Sequence, residues 1–143
     1  MEGQCLCGQV KFELTGNRFN LYQCHCSLCR KQGGAGANAA TLVPDDHFQW
    51  RAGEELIRTY TRDTGFRSDF CSCCGSPVPN PLRGTGLYWV PAGLLDGELD
   101  GEIVAHLHTD SKANWEVLPA GGAHFGHMPD LARVMALLHG EQG

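Results

Sequence analysis

The chain has 143 residues, with eleven Lys and Arg against sixteen Asp and Glu and a formal net charge of −5. That length allows one domain, 1–143, with a hydrophobic core of its own. The negative balance and the scattering of the basic residues argue against nucleic-acid phosphates as a partner.

The opening segment, MEGQCLCGQV, has neither the basic n-region nor the apolar h-region of a signal peptide. No apolar run approaches the roughly 18 residues of a membrane span. A soluble cytoplasmic chain with no membrane partner is therefore expected. Nineteen glycines and seven prolines divide the sequence into short apolar segments, which favours short strands and tight turns. Strands are predicted at Gln9–Leu14, Phe19–Cys24, Ala37–Val43, Leu56–Thr61, Phe66–Cys71, Gly86–Ala92 and Glu102–His108. In the first of these, Val10, Phe12 and Leu14 share one face by alternation. The period changes near the end. In MPDLARVMALLHG, Leu131, Val134, Met135 and Leu138 form an i, i+3, i+4, i+7 stripe, predicting a core-packing helix. Pro129 suits its first turn and Gly140 its stop.

Eight cysteines in a reducing compartment point to metal rather than to a four-disulfide framework. They fall in three places: Cys5 and Cys7; Cys24, Cys26 and Cys29; Cys71, Cys73 and Cys74. Residues two apart in an extended chain point to the same side, so Cys5 and Cys7 can grip one ion while Leu6 faces away. The same geometry pairs Cys24 with Cys26 and turns His25 off their metal. Cys26-x-x-Cys29 and Cys71-x-x-Cys74 have the spacing of a zinc knuckle. Joining the two pairs gives a four-cysteine site on Cys5, Cys7, Cys71 and Cys74, leaving a triplet and one spare thiol, Cys73. Spacing also permits Cys5 and Cys7 to join Cys24 and Cys26.

In order, the segments CLCGQVKFEL, CHCSLCRKQGG, FRSDFCSCCGS, VPAGLLDG and HLHTDSKANWE resemble those of the glutathione-dependent formaldehyde-activating enzyme family, which includes the centromere-protein-V-like proteins. The likeness runs from about Cys5 to Trp115; Cys73 is an addition to the usual C-x-x-C-G. The resemblance implies a mainly β, zinc-binding β-tent fold with two zinc ions per chain. It implies a structural zinc on Cys5, Cys7, Cys71 and Cys74, and a catalytic zinc on Cys24, Cys26 and Cys29. It further implies a carbon–sulfur lyase, a reversible S-hydroxymethylglutathione synthase, whose small-molecule partners are glutathione or another thiol and formaldehyde or a related aldehyde. Catalytic zinc sites keep three protein ligands and one exchangeable position, which suits the triplet.

Around the triplet, Arg30 and Lys31 can balance thiolate charge or attract substrate carboxylates. Small residues at Gly33–Ala40 leave room beside the metal or form a turn into a strand. His106 with His108 on one strand face, or His124 with His127, can offer a fourth ligand, although such histidines are expected at the surface. His25 is expected as a packed, hydrogen-bonded neighbour and Trp115 as a core aromatic. Two other functions fit the same sequence: a non-catalytic zinc module that binds protein, and a thiol redox or zinc sensor acting through Cys73.

Overall fold

Frequent glycines and prolines limit every apolar run, and short strands are the result. A computed structural model describes residues 1–140. Its strands in chain order are β1 (Glu2–Gln4), β2 (Lys11–Leu14), β3 (Leu21–Cys24), β4 (Asn38–Pro44), β5 (Phe48–Ala52), β6 (Ile57–Thr61), β7 (Arg67–Cys71), β8 (Asn80–Leu82), β9 (Leu87–Pro91), β10 (Ile103–Leu107) and β11 (Ala123–His124). Helix α1 (Ser27–Gly33) lies between β3 and β4, and α2 (Leu131–Met135) follows β11. The architecture is mainly β, as expected. No described helix is long and apolar enough to cross a membrane.

The chain divides into two compact units. The first comprises Met1–Asn17 and Leu42–Leu99. Here β2 pairs antiparallel with β1 on one side and β5 on the other. Val10, Phe12 and Leu14 are all buried, so the alternation of this segment is realised. Phe12 stacks on Phe48 at 5.6 Å and meets Trp50 edge-on, and Tyr88 stacks on Phe48 at 4.0 Å. Gly3 faces Phe12 across the β1–β2 pair, and any Cβ there would collide with the Phe12 ring. The β6–β7 and β8–β9 pairs are antiparallel hairpins. Cys5, Val10, Cys71 and Val78 form a buried cluster against which Trp50, Leu56, Ile57, Cys74 and Leu94 pack. Two of the candidate ligands are thus part of this unit's core.

The second unit takes Arg18–Thr41 and the chain from Asp100 onward. Its centre is β10, which runs parallel to β3 on one side and to β11 on the other. The register sets Leu107 opposite Cys24 and His106 opposite both Gln23 and His124. Strand β3 also pairs antiparallel with the start of β4, Cys24 facing Asn38. The C-terminal helix buries Val134 and Leu138, and its last turn, Ala136–Gly140, widens to π geometry and packs on β10. Asp130 takes the N-cap position, so Pro129 stands just outside the first turn where the sequence had suggested it.

All seven predicted strands form, six of them shortened by one or two residues and the Ala37–Val43 strand shifted by one residue to Asn38–Pro44. Helix α1 has no counterpart among the predicted elements, for a physical reason: none of its residues is buried, so it carries no apolar stripe.

Candidate metal centres

The four-cysteine set grows from two tight turns of the first unit. After β1, the Cys5 N–H donates to the Val10 carbonyl and the Gly8 N–H to the Cys5 carbonyl, with Gly8 at φ +80°. This turn leaves Leu6 84% exposed, while the Cys5 and Cys7 sulfurs come within 3.6 Å. At the end of β7 the Gly75 N–H donates to the Cys71 carbonyl, closing the Cys71–Cys74 turn at a glycine with φ +81°. Only glycine adopts that backbone without strain. The Leu6 N–H reaches the Ser76 hydroxyl at 2.9 Å and so ties one turn to the other.

The sulfurs of Cys5, Cys7, Cys71 and Cys74 all lie within 4.8 Å of one another. Cys73 stands outside this group, exposed, its sulfur 3.1 Å from the Gln9 amide nitrogen. All eight cysteines are free thiols. The electrostatics suit a cation. The Ser76 hydroxyl leads in drawing Cys74 down to about 5. Cys7 has a favourable Gln9 N–H, yet desolvation and three neighbouring sulfurs push it up to about 12. One thiolate therefore forces protons onto its neighbours, and a divalent ion would displace them.

The triplet is assembled at the junction of β3 and α1. Cys24 ends the strand, Cys26 is the helix N-cap in extended conformation, and Cys29 sits in the first turn. The Cys29 N–H donates to the Cys26 sulfur at 3.3 Å and the Arg30 N–H to the Cys26 carbonyl at 3.0 Å. Their sulfurs lie within 4.8 Å of one another, and among the described residues no His, Asp or Glu joins them. The Cys29 thiol, donating to Cys24, is the main cause that holds Cys24 at about 6; the His108 charge adds to it. The same contact drives Cys29 upward. Three sulfurs at this spacing suit three corners of a tetrahedral zinc site.

His25 turns away from these sulfurs, as its position in an extended segment dictates. It is fully buried, with Nδ1 2.5 Å from Oε1 of Glu116 and Nε2 3.1 Å from Nδ1 of His106. His106 corrects a surface expectation, being 1% exposed, its ring also 5.0 Å from that of His124. Burial, the main cause, and its imidazole neighbours hold His106 below the usual histidine value. His108 lies beyond the end of β10 at φ +57°, so it does not share a regular strand face with His106. His124 bonds to the Gly121 carbonyl and His127 faces Asp110.

Trp115 is 64% exposed and therefore no core aromatic. Gly34 ends α1 in the left-handed region, and β4 begins at Asn38, which is the turn-into-strand reading of Gly33–Ala40. Arg30 reaches the Ser111 carbonyl at 3.3 Å, and Lys31 is exposed. Sequence reasoning missed Glu116; its signal was slight, an acidic residue directly after Trp115 in the last matched motif.

The sequence pattern of the family described as glutathione-dependent formaldehyde-activating enzyme matches residues 1–111. A Halomonas elongata protein named "Putative glutathione-dependent formaldehyde-activating enzyme" is 32% identical over 124 residues, which covers 80% of this chain and 78% of that protein. A crystal structure of a Rhodobacter sphaeroides protein is similar with a TM-score of 0.58 and 24% identity. It covers 87% of this chain and 99% of that one, a likeness of fold.

Proposed function

We propose, for a chain that belongs to the glutathione-dependent formaldehyde-activating enzyme family, a zinc-dependent and reversible addition of a thiol to a small aldehyde. Glutathione and formaldehyde are the first pair to consider, because the family description names them. One zinc ion, held by Cys5, Cys7, Cys71 and Cys74, staples the first unit. A second, on Cys24, Cys26 and Cys29, serves the reaction. The observation that carries this reading is the unequal donor count: four sulfurs in one cluster and three in the other, with no further described ligand. A closed set suits a structural ion, and a set of three leaves one position for an exchangeable guest.

In the reaction, the thiol sulfur bonds to the carbonyl carbon, the C=O π pair moves to oxygen, and the thiol proton ends there, giving S–CH2–OH. When bound, zinc would supply positive charge that favours thiolate over thiol or polarises the carbonyl. The chain's contribution is placement. Cys26 and Cys29 are half-buried and so reachable. Arg30, directly after Cys29, offers a guanidinium to a substrate carboxylate, a bidentate match for which this side chain is suited. Trp115 offers an exposed apolar face for the body of the thiol. Holding two reactants together is itself worth many powers of ten. NMR exchange between glutathione and formaldehyde tests the proposal. Faster exchange with both zinc ions bound is expected, and a rate equal to that of buffer rules the activity out.

A further inference from the structure

His25 is the single residue between Cys24 and Cys26, and it is wholly buried with both ring nitrogens engaged. In an extended segment successive side chains point to opposite sides. Whatever fixes the imidazole on one side therefore fixes both sulfurs on the other. The His25 N–H also donates to the Leu107 carbonyl at 2.9 Å, so backbone and side chain are both tied to the end of β10.

The other tie comes from Glu116. Its N–H donates to the Ala113 carbonyl at 3.1 Å, and its carbonyl accepts from the Lys112 Nζ at 3.2 Å. The carboxylate then accepts from Nδ1 of His25, a charge-assisted bond. Gly36 makes room for it. A Cβ at Gly36 would collide with Oε2 of Glu116 and come within 3.2 Å of the Trp115 ring. Gly36 is buried and does not adopt a positive φ, so the constraint there is space rather than backbone conformation.

We infer that Glu116, seated against Gly36 and hydrogen-bonded to His25, is a positioning residue that holds the Cys24–His25–Cys26 segment with its two sulfurs preset for one metal ion. Partners bonded directly to metal ligands typically govern metal affinity by about 10- to 100-fold. Glu116 acts one residue further out, through His25, so the lower end of that range is expected. The inference rests on the proposed zinc at the triplet and is independent of the reaction.

Chelator competition on the full chain, with cobalt absorption as a spectroscopic readout, tests it. Glu116→Ala should weaken the looser of two zinc ions by about 10-fold, the lower end for outer partners, alter the absorption of that cobalt, and leave the tighter ion unchanged. Glu116→Gln, whose amide oxygen still accepts from Nδ1, should restore affinity to within a few-fold. Gly36→Ala should reproduce the loss, but should add little in a Glu116→Ala background, where the colliding carboxylate is gone and only the exposed Trp115 ring remains close. Unchanged affinity in Glu116→Ala, or losses that simply multiply in the double variant, overturns the inference. If Glu116→Ala does not fold, Gly36→Ala must weaken the looser ion and Glu116→Gln must not. A wild-type chain that binds one ion sinks the zinc reading itself; two ions with an indifferent Glu116→Ala sink only the positioning role.

Discussion

Acidification should release the triplet's ion in a way the thiols themselves dictate. Cys29 is driven well above the usual thiol value, chiefly by its contact with Cys24, so it carries its proton at neutral pH. An incoming ion must expel that proton. Affinity should then fall at least about tenfold for each unit of pH lost, or about 1.4 kcal/mol. Cys24 is held at about 6, so above that pH it is already a thiolate and asks nothing more. Below it, Cys24 must release a proton as well, and the slope should steepen by about a further tenfold per unit. The sign follows directly: protons compete with metal, so binding strengthens as pH rises. Zinc titrations against a chelator across this range, with proton release followed in a weak buffer, measure the slope. An affinity that is flat with pH, or uptake of protons on binding, would show that Cys29 does not hold its proton in the metal-free chain.

Three further outcomes are expected. Gly3→Ala should lower stability by about 1–3 kcal/mol, read as a shift in unfolding midpoint, because its Cβ meets the Phe12 ring in the first unit's core; an unchanged midpoint contradicts the packing described. Cys73→Ser should leave the number of bound zinc ions unchanged, since that sulfur stands outside both clusters, and loss of an ion would show that it is a ligand. His106 should titrate by NMR with a midpoint below 6.5, because burial disfavours its charged form. The unfolded chain then takes up a proton that the folded one refuses, so this histidine makes stability fall as pH drops through and below 6.5; a midpoint at or above that value contradicts the burial.

What the sequence disclosed is what local periodicity encodes. Val10, Phe12 and Leu14 alternate, Val134 and Leu138 stand four apart, and the cysteine spacings are those of turns that bring sulfurs together. Each such signal lies within a few residues. The strut on His25 is of another kind. It joins residues about ninety positions apart, through the parallel pairing of β3 with β10 and the segment after it. No local pattern announces such a contact, because parallel strands are joined by long connections. The same pairing buries His106, whose polar side chain reads as surface until its imidazole partner is in place. Helix α1 escapes notice because its capping group is a cysteine, Cys26, rather than one of the usual capping residues, and its faces are all at least partly exposed.

X-ray absorption at the zinc edge, on the chain loaded with zinc, tests most directly whether the two candidate centres differ as proposed. With two four-coordinate ions, sulfur is expected from the seven cysteines of the two clusters and one lighter atom in the remaining position. Sulfur in all eight positions, or an imidazole signature in the eighth, would contradict it.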